Sequence, residues 1–174
     1  PPDQDDFAYG FSLPEVIATP DEIEAGTPER VEQGIDLRIW LARDAGQRFI
    51  GRRRRTVGPV GCGLCGIKTL AAAMRVLEPV SGDCVISADD LDAALAEMDA
   101  GQRLRDATGA SHAAGFLVPG RGLIALREDV GRHNALDKLA GALLRGPDAG
   151  LIGQGAVVLT SRISVDLVQK TATL

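Results

Sequence analysis

Ala113-Ala114-Gly115-Phe116-Leu117-Val118-Pro119-Gly120-Arg121-Gly122-Leu123-Ile124-Ala125-Leu126-Arg127 sets two apolar words on either side of a Pro-Gly-Arg break. Pro and Gly punctuate the chain, and the stretch reads as a β-hairpin, Ala113–Val118 against Gly122–Arg127. Downstream, Asp129–Leu144 places Val130, Leu136, Leu139 and Leu143 at helical spacing, and Gly146-Pro147 stops that helix. Gly155–Thr160 is a short buried strand and Val165–Ala172 a following helix. Upstream, Ser87 is placed to cap an amphipathic run, Leu91–Met98. Ile35–Leu41 alternates apolar and polar at period two, the mark of a half-buried strand. Strands alternating with helices point to a layered α/β or α+β domain.

The N-terminal third is less regular. Residues 1–33 are rich in Pro and acids and read as a loop, a short helix around Phe7–Leu13 and a linker. Residues 48–66 lack a sustained period and are rich in Gly and Arg, so they read as a mobile loop. Ile67–Val76 reads as a helix that starts just after the loop. The expected organisation is an N-terminal subdomain over 1–46, an Arg/Gly loop over 47–66, and an α/β core over 67–174 that is incomplete at its C-terminal end.

Composition bounds the class. A chain of 174 residues is long enough for one compact domain, and 45% apolar with 25% charged residues is ordinary for a globular protein. Aromatics are only 3%, so the core must come from Ala, Val, Leu and Ile. No apolar run is long enough to span a membrane and no signal peptide opens the chain. Three cysteines, two of them close together, fit a reducing cytoplasm better than a secreted disulfide framework. The net charge of −5 is segregated: residues 1–36 hold ten acids and one base, residues 43–75 eight bases and one acid. A basic block in an acidic protein implies a local anion partner rather than general nucleic-acid binding.

Within that block stands Gly61-Cys62-Gly63-Leu64-Cys65-Gly66, approached by Arg52-Arg53-Arg54-Arg55. Nearby positive charge favours the thiolate, the reactive form of cysteine, and the glycines keep bulk away from the sulfurs. Redox, zinc and sulfur chemistry all use such a pair. Structural zinc needs four ligands, and Cys84, His112 and His133 supply neither a second C-x-x-C nor an H-x-x-x-H spacing. The deaminase pattern fails as well, because Ala113-Ala114 follows His112 where x-Glu is required. A thioredoxin-like pair follows a strand, not a long Arg/Gly loop. Sulfur relay remains, with one cysteine carrying sulfane sulfur and its neighbour assisting. Cys84 itself reads as a small buried hydrophobe.

Three later clusters supply polar groups. Thr108-Gly109-Ala110-Ser111-His112-Ala113-Ala114-Gly115 packs small residues about a histidine. Arg127-Glu128-Asp129-Val130-Gly131-Arg132-His133-Asn134-Ala135-Leu136-Asp137-Lys138 loads a helix start, where backbone amides with Arg132 and Lys138 suit an anion. His133 and Asp137 stand four apart, so that a carboxylate can orient the imidazole. Thr160-Ser161-Arg162-Ile163-Ser164 lies between strand and helix, a common place for phosphate contacts. Each also has a plain structural reading: a packed histidine, a surface helix pair, a turn with an N-cap.

Together with the glycine-framed cysteines, these clusters resemble the FdhD family, the formate dehydrogenase accessory sulfurtransferases; Tyr9-Gly10-Phe11 is similar to that family's early G-F segment. The resemblance implies a three-layer α/β fold, a cytidine-deaminase-like mixed sheet with flanking helices, plus a small N-terminal subdomain. It implies a cytoplasmic homodimer that takes persulfide sulfur from a cysteine desulfurase. The sulfur would pass to the bis-guanylyl molybdenum (or tungsten) pterin cofactor, bound as substrate, for formate dehydrogenase apoenzyme. No resident metal, nucleic acid or membrane is implied. Cys62 matches the persulfide-bearing cysteine and Cys65 its partner, while Arg54, Arg55, His112, Arg132, His133, Asn134, Lys138, Thr160, Ser161 and Arg162 are the candidates for holding the polyanionic cofactor. Family members continue past the last helix with further strands and an R-F-N-V-Y-like word that this chain lacks. Two rival classes stand beside this one: a cofactor chaperone without sulfur transfer, and a zinc-dependent deaminase-like hydrolase.

Overall fold

The computed structural model describes residues 2–13, 17–51, 77, 79–80 and 84–174. Its elements in chain order are α1 (Gln4–Ser12), β1 (Ile23–Val31), β2 (Gly34–Leu41), α2 (Arg43–Gly51), α3 (Ala88–Gly101), α4 (Arg103–Thr108), β3 (His112–Val118), β4 (Gly122–Asp129), α5 (Arg132–Arg145), β5 (Ala156–Leu159) and α6 (Val165–Thr171). Short 3-10 turns occupy Pro20–Glu22 and Ala149–Gln154. The class is α/β, as expected, built on two small antiparallel sheets.

The central sheet has the order β4-β3-β5. The hairpin forms where Pro119-Gly120-Arg121 places it: Arg121 N donates to Val118 O at 2.9 Å, and Gly120 and Gly122 take φ of 72° and 74°, which glycine alone adopts without strain. β3 is the middle strand and is buried on both faces. Ala114 and Phe116 point to one side, where Ala135, Leu136, Leu139 and Leu143 of α5 and Leu167 of α6 close the main core. Gly115 points to the other, against Met98 of α3. The result is helix, sheet, helix. Each fully enclosed leucine contributes about 1.5–3 kcal/mol relative to exposure.

The pairing of β3 with β4 shifts between Phe116 and Leu117, so that Ile124 is an extra residue in β4. This β-bulge changes which side each later residue faces. Leu126 and Glu128 consequently look toward α3 and α4, whereas Arg127 and Asp129 look toward α1 and α5.

α3 is fixed at its start by a capping box: Ser87 Oγ accepts from Asp90 N at 3.1 Å, and Asp90 Oδ2 accepts from Ser87 N at 3.2 Å. The Ser87 hydroxyl and amide, with Gly120 N donating to Asp90 Oδ1, hold the Asp90 carboxyl below the usual carboxylate range. Glu97 Oε2 accepts from Leu123 N at 2.8 Å, so α3 also grips the hairpin.

β1 and β2 form a separate hairpin on the other flank of α1. Tyr9, Ile39 and Leu41 join Ala18, Ile23 and Ala45 in a second, smaller cluster. α1 crosses α5 at very short range. A Cβ on Gly10 would collide with the Asp137 carbonyl, and one on Gly141 with the Asp6 carbonyl. Asp6 clamps the crossing by accepting from Arg127 Nε at 2.7 Å and Arg145 at 2.9 Å.

Five features differ from expectation. The helix expected from Asp129 starts at Arg132, because Asp129 closes β4 and Val130 is exposed in the turn between them. Residues 23–31, read as linker, are β1: Ile-Glu-Ala-Gly-Thr-Pro-Glu-Arg-Val has no alternation and carries Gly and Pro, and it pairs because β2 supplies a partner. α2 runs to Gly51, into the stretch read as a loop. α4 carries no local start signal because its cap is remote in sequence: Glu128 accepts from Leu104 N at 2.6 Å and Arg105 N at 3.0 Å. Cys84 is exposed, not buried, its thiol 3.4 Å from Gln154 O. The helix expected over Ile67–Val76 and the rest of the Arg/Gly loop lie outside the described residues.

Candidate anion-binding end of the central sheet

Because β3 runs antiparallel to both neighbours, its first residues meet the last residues of β4 and β5. His112 stands opposite Asp129, and Ala114 opposite Leu159. The turns that leave β4 and β5, and the start of α5, therefore gather at one end of the sheet. That single fact brings together His112, Arg132, His133, Asn134, Thr160, Ser161 and Arg162, read from three separate stretches of sequence.

The start of α5 is unusual. Its cap residue is Gly131, which has no side chain to accept from the first-turn amides, and the first turn carries no acid. α3, by contrast, begins with Ser87 and two aspartates. An N-terminus without its own acceptor presents donors and the positive end of the helix dipole. Arg132, His133 and Arg162 add cationic or donor side chains at the same end, and Val130 and Ile163, exposed in the two turns, with Val165 at the start of α6, add apolar surface. Such an arrangement suits a phosphate-bearing ligand with an organic body.

Asp129 organises the turn. Its Oδ1 accepts from Gly131 N at 3.0 Å and Asn134 Nδ2 at 3.2 Å, and its Oδ2 from Lys138 Nζ at 2.6 Å. Lys138 was expected to face a ligand. It is instead fully enclosed, with Nζ also donating to Glu128 O at 3.2 Å. Thr160 extends the ladder rather than standing clear of it: Ala113 N donates to its hydroxyl at 2.8 Å. Ser161 Oγ donates to Arg162 O at 3.1 Å, and Arg162 is exposed.

His133 and Asp137 do not pair with one another. Asp137 is buried toward α6, where Lys170 Nζ donates to both its oxygens at 2.7 and 2.9 Å. The carboxylate beside His133 is Asp166, with Oδ2 at 3.2 Å from Nε2 but not aligned as a hydrogen bond. Both contacts dock α6 on α5, so the β5–α6 turn is held beside the β4–α5 turn. Asp129, Asp166 and Lys170 were not singled out from sequence; each acts through a partner on another element, a relation that local spacing does not encode. Glu128, one residue before Asp129, faces away and lines a cleft of about 600 Å³ with Asp3, Gly101, Arg103, Leu104 and Leu126. Arg54, Arg55, Cys62 and Cys65 lie outside the described residues. No group of three or more His, Cys, Asp or Glu able to hold a metal occurs among the described residues. Nor is any helix among them long and apolar enough to cross a membrane.

The sequence profile of the FdhD/NarQ family matches residues 1–174. A protein of Agrobacterium fabrum named sulfur carrier protein FdhD is 46% identical over 177 residues, covering 100% of this chain and 64% of that protein. One of the same name from Brucella abortus is 49% identical over 176 residues, covering 100% and 65%. The chain thus spans a little under two thirds of the length of these relatives. Among solved structures, one described as a candidate formate dehydrogenase accessory protein from Desulfotalea psychrophila shares the fold, with a TM-score of 0.65 at 23% identity over 99% of this chain and 61% of that one. Matched over its whole length, and identical at nearly half of the aligned positions in both relatives, this chain belongs to the FdhD/NarQ family.

Proposed function

We propose that this chain is a sulfurtransferase of formate dehydrogenase maturation, working in a reducing cytoplasm as a homodimer. The observation that carries the reading is the Gly61-Cys62-Gly63-Leu64-Cys65-Gly66 word, in a chain whose relatives are named sulfur carrier proteins. The Cys62 thiolate attacks the terminal sulfur of a persulfide on a cysteine desulfurase. The S–S bond of the donor breaks, the donor thiolate leaves, and Cys62 holds the persulfide; no net oxidation occurs. For release as sulfide, the Cys65 thiolate attacks Cys62 Sγ. Hydrosulfide departs with the bond's electron pair and a Cys62–Cys65 disulfide remains, to be reduced by a cellular dithiol.

The recipient is the bis-guanylyl molybdenum (or tungsten) pterin cofactor, a substrate here, destined for formate dehydrogenase apoenzyme. Its pyrophosphates and guanines match the donors and apolar surface at that end of the central sheet, where His112, Arg132, His133, Asn134 and Arg162 line the site. Arg54 and Arg55 supply further positive charge from the segment that carries the thiols.

The test is incubation with a cysteine desulfurase, pyridoxal phosphate and labelled cysteine, read by intact-protein mass. We expect a gain of roughly 32 Da that is lost in Cys62→Ala. Absence of the adduct on the unaltered protein points to a cofactor chaperone instead. Stoichiometric zinc that disappears in Cys62→Ala points to a deaminase-like hydrolase.

A further inference from the structure

We infer that Asp129 and Lys138 are a positioning pair for the anion site at the start of α5, with Lys138 acting through Asp129 and never touching the ligand; the inference rests on the anion reading of that end of the sheet. Three observations carry it. First, Lys138 is spoken for: its side chain is 1% exposed, and Nζ meets Asp129 Oδ2 at 2.6 Å and Glu128 O at 3.2 Å. An incoming phosphate would have to break both bonds and open the core to reach it.

Second, Asp129 grips the two groups that shape the turn. Oδ1 fixes Gly131 N at 3.0 Å, which sets the backbone entering the helix. The same oxygen accepts from the Asn134 carboxamide at 3.2 Å, which ties that side chain to the turn. The first-turn amides of α5 are thereby left without a side-chain acceptor from the cap residue or from an acid in that turn.

Third, the charge arithmetic requires a partner. A carboxylate three residues before the first helical amide of an anion site would repel the ligand. Lys138 cancels it from beneath, and the pair contributes geometry with no net charge. A chain in which Lys138 bound phosphate directly would leave Asp129 as a buried, uncompensated charge.

Two double variants separate positioning from the other roles, because each removes one negative and one positive charge and leaves the net charge at its value. In Asp129→Asn with Lys138→Met, the asparagine Oδ1 still accepts from Gly131 and Asn134. In Asp129→Leu with Lys138→Met, nothing does. The probe is GDP, titrated calorimetrically into the full chain at several salt concentrations.

Positioning predicts that the asparagine double binds within about 3-fold of the parent with the same salt slope, while the leucine double is weakened by roughly 10-fold or more. Loss in both doubles, with the log–log salt slope reduced by about one charge, makes Lys138 a direct contact and overturns the inference. Equal binding by parent and both doubles makes the pair structural only, and also overturns it. Failure of the unaltered protein to bind GDP removes the anion reading itself and the inference with it. Should the leucine double not fold, Asp129→Ala in the Lys138→Met background takes its place, with the same expected loss.

Discussion

The two sheets formed by the described residues are built to opposite specifications. In the central sheet, β3 is buried from Ala113 to Val118 and serves as the floor for helices on both faces. In the β1–β2 hairpin only Ile23 is buried; Trp40, Val31 and Ile35 are 47%, 43% and 40% exposed, and Arg38 pairs with Glu29 in open solvent. The central sheet puts its ion pairs inside and its functional candidates at one end. The hairpin has one inner face, resting on α1, and leaves its charges outside. A shared secondary structure thus says little about energetic weight; what matters is which polar groups have been taken out of water and what they meet there.

Removing the cation of a pair in each region measures that difference most directly. Lys138→Met alone strands Asp129 in the core, and we expect it to destabilise by about 3–5 kcal/mol in urea unfolding. A loss below about 1 kcal/mol would mean that water or a rearranged neighbour relieves Asp129. Next in size is the joint between the regions. Gly141→Ala forces α1 off α5, with an expected cost of about 1–3 kcal/mol. Trp40, the single tryptophan, sits in the hairpin, so its emission should change at lower urea than the far-ultraviolet signal of the helices. Coincident transitions at the parent's midpoint would show that the crossing tolerates a methyl group. The smallest effect belongs to Arg38→Met in the hairpin. Its pair is more than half exposed on both sides, and the change should be within about 1 kcal/mol, shrinking further in high salt.

The sequence was legible where the physics is local. The Pro119-Gly120-Arg121 break, the Ser87 cap, the period-two run at Ile35–Leu41 and the Gly146-Pro147 stop each act through neighbours within a turn or so, and all four elements are found where these signals put them. β1 was hidden because its pairing is dictated by β2, not by its own pattern. α4 was hidden because Glu128 caps it from more than twenty residues away. The site was half legible for the same reason. Polar words after strands marked two turns, and topology brings those turns to one end of the sheet. The side chains inside those words then divided by direction, with Arg132, His133 and Arg162 at the sheet end and Lys138 turned inward. His133 and Asp137 satisfied the helical spacing rule, yet Lys170 outcompeted it by offering Asp137 two charge-assisted bonds in a buried setting.

Glu128 and Asp129 are chain neighbours with nearly identical chemistry and wholly different duties, one holding α4 and the other α5. What assigns the duties is neither residue but Ile124, the supernumerary position in β4. Strand side chains alternate, so a ladder that paired Ile124 in regular register, instead of leaving it out, would reverse every residue beyond it. Glutamate would then arrive at the α5 turn, one methylene too long, and aspartate at α4, one too short. A single odd residue five positions upstream thus works as a selector. It makes a break in the pairing of this strand, far from the ligand end, part of the specification of the site.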